Sequence, residues 1–232
     1  MGSDDLFRKR KVQTIERLKR QQGVRSKGER FLIVSEGEKT EPYYFNEFCE
    51  FHQLRTPRVR IAPGEEGSSP DRVVDYANKL YDDDSRLGSD NYDQVFCVID
   101  RDSHSKFDAA IQRIEELRLS GKPFVAIPSY PCFEYWLLIH FKPTRQYFQA
   151  VGKCSVCDKV IRELRNQQGF NAYAKADRGV YRKLKDRTSA AIKHAKQARI
   201  DADRTGEKNP STDVYILVEK LMLLGEMYGR RQ

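Results

Sequence analysis

The sequence predicts an α/β protein: a mainly parallel, four-stranded sheet with helices on both faces, followed by a helical C-terminal region packed on it. Three observations carry this. Short apolar runs end abruptly in charged or glycine-containing turns, as strands buried on both faces do. Each run is followed by a stretch with helical spacing of apolar residues. This alternation repeats four times between Phe31 and Phe141 and then stops, a pattern that indicates parallel strands joined by crossover helices.

The elements follow in order. Residues 6–22 can form a basic amphipathic helix with Leu6, Val12, Ile15 and Leu18 on its apolar side, ended by Gly23 and Gly28. Phe31–Ser35 is a strand apolar on both faces, running into Glu36-Gly37-Glu38-Lys39-Thr40-Glu41-Pro42. Pro42 suits the first turn of a helix reaching about Phe51, with Thr40 or Glu41 as its cap. Arg58–Ala62 alternates as a second strand, and Pro70 starts a helix to about Tyr81. A charged loop follows from Asp82 to Asp90. Gln94–Asp100 is the third strand, Phe107–Leu119 a helix stopped by Gly121, and Phe124–Ile127 the fourth strand. Pro131 opens an apolar helix to Phe141. Beyond it, Cys157–Gln167, Asp177–Arg204 and Ser211–Tyr228 read as helices. The expected division is 1–30 as a basic extension, 31–141 as the α/β core and 142–232 as the helical region.

Composition excludes several classes. No run of 18 or more apolar residues exists, so nothing in the sequence spans a membrane. The first 30 residues are charged throughout and lack an apolar leader core. Five cysteines, an odd number, then suggest free thiols in a reducing compartment, and a cytoplasmic location is expected. Cys154 and Cys157 have zinc-knuckle spacing without a second Cys-x-x-Cys. A zinc site would need Cys132 and His140 brought near by the fold, so ordinary thiols are the expectation. No Gly-x-x-x-x-Gly-Lys-Ser/Thr loop occurs, so any ATP dependence must come from another chain.

The formal net charge of +8 conceals a segregation. Residues 1–30 hold ten Lys and Arg against four Asp and Glu, and residues 171–208 hold eleven against five. Residues 31–141 hold twelve against twenty. Basic flanks suit nucleic-acid phosphates and an acidic middle suits divalent cations, although charge runs are also ordinary solvated faces. In the 171–208 segment, Arg182, Lys183 and Lys185 are candidate phosphate contacts. Tyr173 and Tyr181 could stack on bases or pack in the core.

Ligands of open parallel sheets bind beyond the carboxyl ends of the strands. Glu36 ends the first strand, and Asp100 and Asp102 straddle the end of the third. Where a strand gives way to a loop its side chains no longer alternate, so both aspartates can turn toward one point. A hard cation such as Mg²⁺ takes one or two carboxylates and keeps several waters. Lys39 and Arg101 beside these acids could hold a phosphate oxygen or merely balance charge. Glu134, an acid in the apolar Pro131-Cys-Phe-Glu-Tyr-Trp136 stretch, needs a partner or a ligand. His104 could relay a proton, but a lone loop histidine is more often incidental. Trp136, Leu137 and Phe141 read as core.

Phe31-Leu-Ile-Val-Ser-Glu-Gly-Glu-Lys-Thr-Glu-Pro-Tyr-Tyr-Phe45 resembles the opening of the RloB family. Val98-Ile-Asp-Arg-Asp102, Ser129-Tyr-Pro-Cys-Phe-Glu-Tyr-Trp-Leu-Leu-Ile-His-Phe141 and Asn209-Pro-Ser-Thr-Asp213 resemble its later blocks. The resemblance implies a Toprim-like, Rossmann-like fold and a Mg²⁺- or Mn²⁺-dependent nuclease. Such proteins belong to bacterial restriction-modification and phage-defence loci, often beside an ATPase. The Toprim pattern, a Glu-Gly after one strand and Asp-x-Asp after another, carries onto Glu36, Asp100 and Asp102 as metal ligands, with Glu36 alternatively the acid/base. The acid usual four residues after the motif Glu is Thr40 here, so Glu38 or Glu41 would substitute, and Glu134 is a further candidate ligand. The expected reaction is phosphodiester hydrolysis of DNA or RNA, tRNA included. The other reading is a non-catalytic module of the same fold that binds nucleic acid or an ATPase.

Overall fold

A computed structural model of the chain describes residues 29–54, 58–64, 69–86, 91–102 and 105–228. The helix expected over residues 6–22 and His104 lie outside the described residues. The sheet has the order β2-β1-β3-β4-β5: β1 is Phe31–Ser35, β2 Val59–Ala62, β3 Gln94–Asp100, β4 Phe124–Tyr130 and β5 Ser211–Thr212. The first four are mutually parallel, with Phe31 opposite Val59 on one side and Gln94 on the other. The fifth strand corrects the expected four. Ser211 and Thr212 pair antiparallel with Tyr130 and Ser129, and the Ser129 and Thr212 hydroxyls lie 3.0 Å apart. Two polar residues carry no period, so this strand was unreadable in the sequence.

Connectivity decides which helix covers which face. From β1 the chain steps to β2 at one edge through α1, Thr40–Phe51. It then steps the other way to β3 and β4 through α2, Pro70–Arg86, and α3, Phe107–Leu119. Right-handed crossovers in opposite directions must lie on opposite faces. Accordingly Val73, Val74, Ala77, Phe107, Ala110 and Ile114 pack under Leu32, Val34, Cys97 and Ile99. Phe31, Ile33, Phe96 and Val98 turn to the other face, against Tyr44, Phe45 and Phe48 of α1.

That second face also receives the C-terminal helices. They are α4 (Glu134–Leu138), α5 (Val156–Arg165), α6 (Val180–Leu184), α7 (Thr188–Thr205) and α8 (Val214–Tyr228). Val160, Leu164, Leu184, Ala191, Leu217 and Leu221 share one apolar cluster with Phe31 and Phe96. Trp136 is fully buried there, and its indole N–H donates to the Tyr44 hydroxyl at 2.8 Å. Tyr173 and Tyr181 are buried as well, which assigns them to packing.

Other boundaries moved for identifiable reasons. α2 continues to Arg86 through residues expected to be loop, because Asp82 and Asp84 have cations to meet. Lys122 Nζ lies 2.6 Å from Asp82, and Arg30 lies 3.1 Å from Asp84. The helix expected from Pro131 to Phe141 is a single short α4 with turns on either side. The stretch expected as one helix over Asp177–Arg204 begins as a loop, then breaks at a 3₁₀ turn, Lys185–Arg187. No described helix is long and apolar enough to cross a membrane.

Candidate functional site

The strand order reverses between β1 and β3, because α1 leads away from β1 on one side while β3 lies on the other. Crevices at such reversals are where open α/β sheets bind ligands. Here the crevice is a cleft of about 540 Å³. Glu36, Glu38, Lys39 and Glu41 line it from the β1–α1 turn, Asp100 and Asp102 from the end of β3, and Glu134 from α4. Cys157, Lys175 and Ala176 close it from the C-terminal third.

The β1–α1 turn is built by its own polar groups. Glu36 N–H donates to Val98 O at 3.1 Å, which keeps the chain in the sheet one residue beyond β1. The Ser35 hydroxyl donates to Gly37 O at 3.0 Å. Gly37 leaves room for the Glu41 carboxylate, whose Oε1 accepts from Gly37 N–H at 3.3 Å; a Cβ there would push that side-chain tip aside. Neither Thr40 nor Glu41 caps α1 through its side chain, contrary to expectation. The cap residue is Lys39, which makes no side-chain cap bond, and the Thr40 hydroxyl instead accepts from Ala176 N–H at 3.0 Å.

Beyond β3 the chain is tied to the segment after β4. Arg101 N–H donates to Ser129 O and Asp102 N–H to Pro131 O, each at 2.8 Å. Asp102 has φ +22°, a conformation aspartate tolerates better than most side chains. This bend lets Asp100 and Asp102 both line the cleft. Asp100 N–H donates to Glu36 Oε2 at 3.2 Å, so the two motifs meet directly.

The floor of the cleft is unusually acidic for its burial. Glu41 is 5% exposed and Glu134 2%. Burial, and next the Glu134 carboxylate, push the Glu41 carboxyl up to about 7. Asp100 is raised well above the ordinary carboxylate range by burial first, then by Glu41 and Glu134. Its Oδ1 is buried with no hydrogen-bond partner among the described residues. The facing cation is Lys175, whose Nζ stands 3.9 Å from Glu134 Oε1. Among the described residues no three His, Cys, Asp or Glu side chains stand close enough together to form a ready-made metal cage. The donor chemistry nevertheless fits Mg²⁺ or Mn²⁺. All the acidic donors are hard oxygens, one buried oxygen lacks a partner, and Mg²⁺ needs only one or two carboxylates beside its waters.

The basic candidates divide. Lys39 lines the cleft. Arg101 turns away from it, its guanidinium 3.7 Å from Asp108 and 5.3 Å from the Phe107 ring centroid. Arg182 pairs with Glu50 at 3.0 Å, near the far end of α1, roughly 14 Å along the helix from Glu41 at 1.5 Å per residue. Lys183 lies over the Phe170 ring, and Lys185 pairs with Asp186 and lies over Phe51. These three therefore sit apart from the carboxylates.

Two contributors escaped the sequence reading. Lys175 and Ala176 arrive on a loop far from either motif, held by the Thr40 bond and by Glu47. The buried Glu47 carboxylate accepts from both Gly179 N–H and Tyr181 N–H, the latter at 3.0 Å. An acid seven residues into α1 whose partners are backbone amides elsewhere leaves no sequence signature. The cysteines behave as ordinary thiols: Cys132 and Cys157 are buried, and burial raises the Cys132 thiol. All five cysteines are free thiols, and the Cys154 backbone pairs with that of Val151 in an isolated β-bridge.

The family description "RloB-like protein" matches residues 31–221, from the first residue of β1 into α8. No curated protein and no solved structure matches the chain. Both motifs that meet at the cleft, and the loop that closes it, fall inside the matched span, and the chain belongs to the RloB-like family.

Proposed function

We propose that the protein is a metal-dependent nuclease of Toprim type that hydrolyses phosphodiester bonds of DNA or RNA, tRNA included, in bacterial defence against phage, alongside an ATPase partner. The observation that carries this reading is the buried, unpartnered Asp100 Oδ1 in a cleft shared with Glu36, Glu41, Asp102 and Glu134. Glu41 and Glu134 are buried and the other three partly so; carboxylates gathered in this way repel one another, and a bound cation relieves that repulsion.

Asp100, Asp102 and Glu36 would hold Mg²⁺ or Mn²⁺, with Glu38, Glu41 and Glu134 lining the same cleft. The ion supplies charge neutralisation on the attacked phosphate and the leaving oxygen. The protein's own groups do the rest. Glu36 accepts from Asp100 N–H and so fixes the spacing of the two strand ends. Glu41, poised near neutral pH by burial, can take a proton from the attacking water or return one to the leaving oxygen. Lys39 at the mouth meets the strand's negative charge.

The openness of the carboxylate set favours a second reading, a non-catalytic module of the same fold that binds nucleic acid or an ATPase. Labelled DNA, RNA and tRNA incubated with Mg²⁺ or Mn²⁺, with and without the neighbouring ATPase, decide between them. Cleavage that disappears in the Asp100→Asn, Asp102→Asn double variant is the expected result. Cleavage that survives in that variant overturns the site. Binding without cleavage under every condition selects the module.

A further inference from the structure

Lys175 poses a question that the carboxylate site does not answer. Its side chain is 59% exposed, yet its ammonium stands at 3.9 Å from a Glu134 carboxylate that is 3% exposed. That distance is at the outer edge of an ion pair, but the acid is buried, and its charge holds the Lys175 ammonium firmly protonated at the cleft. The loop that delivers it buries few apolar groups, since Ala174, Lys175 and Arg178 are exposed. Polar and ring contacts hold the loop instead. Ala176 N–H donates to Thr40 Oγ1, with Ala176 at φ +70°. Ala174 N–H donates to Asp177 at 3.0 Å, Arg178 lies 4.4 Å from the centroid of the Tyr43 ring, and Glu47 receives Gly179 and Tyr181. Thr40, Tyr43 and Glu47, all on α1, thus fix one short stretch of backbone over the mouth of the cleft.

A strand of nucleic acid that passes Lys39 at the mouth then runs over a floor of carboxylates. Like charges at close range cost several kcal/mol across an interface. Some cation must stand where the strand enters, and of the four site-proximal or basic-segment candidates besides Lys39, Arg101, Arg182, Lys183 and Lys185 all face elsewhere. We propose that Lys175 grips a phosphate of the bound strand next to the one attacked, with Glu134 as the positioning residue that holds its ammonium over the cleft until the strand arrives. This rests on the nuclease reading and adds a substrate contact from outside the α/β core. Residues 142–232 are then part of the site.

The test is binding rather than turnover. A labelled single-stranded RNA oligonucleotide and its DNA counterpart are titrated into the full-length protein with Ca²⁺ in place of Mg²⁺, across a range of salt. Each phosphate neutralised contributes about 0.7 to the slope of log affinity against log salt for single strands. Lys175→Gln is expected to bind several-fold more weakly at low salt and to lose about 0.7 of the slope. Lys175→Arg is expected to keep both the slope and the wild-type Tm, whereas Lys175→Gln is expected to melt lower as well, because it leaves the buried Glu134 carboxylate without its cation. An unchanged slope in Lys175→Gln, or a lowered Tm with an unchanged slope, overturns the proposal while leaving the nuclease reading standing. Wild-type protein that binds neither oligonucleotide overturns the proposal and leaves the nuclease reading to the cleavage assay.

Discussion

The backbone N–H of Asp100 donates to the side chain of Glu36 across 3.2 Å, although 64 residues separate them. β1 and β3 are neighbours, and each ends in one of the acids on which the site depends. A carboxylate that accepts from the next strand's last amide cannot swing freely. The two motifs thus form one unit, with a spacing set by the sheet itself rather than by the surrounding loops.

Gly64 supports that unit from the other side. A Cβ at Gly64 would overlap the Glu36 carbonyl oxygen and stand 2.8 Å from that of Ser35. Backbone atoms of a central strand cannot move aside as a side-chain tip can. Gly64→Ala is expected to cost about 1–3 kcal/mol, as overpacking does, and to weaken Mn²⁺ binding by displacing Glu36. Gly121, at φ +88° with open space around it, is the comparison. Gly121→Ala is expected to lose about 1–2 kcal/mol from the left-handed conformation and to keep its metal affinity. Urea unfolding and calorimetry on both variants measure the contrast.

Glu41 gives a pH signature. Its carboxyl rises from 4.5 to about 7 on folding, so the folded state holds this proton more tightly than the unfolded one. The associated stability is fully present below about pH 4.5 and is lost as the pH rises through 7. Glu41→Gln removes the charge but keeps an acceptor for Gly37 N–H. Without metal, the variant is expected to match wild type near the acid end and to exceed it by up to about 3 kcal/mol above neutrality. Denaturant midpoints in EDTA at about pH 5 and about pH 8 report this difference. A gap that does not grow with pH contradicts the assignment.

The sheet was legible because its strands are continuous apolar runs ending in acids and glycine. Phe31–Ser35 and Gln94–Asp100 have the bounds their composition indicates. The carboxylates were legible for the same reason, since strand ends converge on one edge. What stayed hidden depends on contacts distant in sequence. β5 is two polar residues recognised only by their partner strand. Lys175 reaches the cleft through Thr40 and Glu47, neither of which announces a partner more than a hundred residues away. The position of the basic run at Arg182–Lys185 was unreadable for the opposite reason. Charge density says nothing about direction, and α6 packs at the far end of α1 from the acids, where Arg182 meets Glu50.

Calorimetric titration of Mg²⁺ and Mn²⁺ into wild-type protein and into Asp100→Asn, with metal-free melting temperatures alongside, tests the central claim most directly. The account predicts that wild type binds and that Asp100→Asn does not, because the amide keeps the shape of the side chain and loses its charge. It also predicts a higher metal-free Tm for the variant, since Asp100 is buried against Glu41 and Glu134 and strongly resists ionisation. Asp100→Asn that binds metal as tightly as wild type, or wild type that binds none, would contradict it.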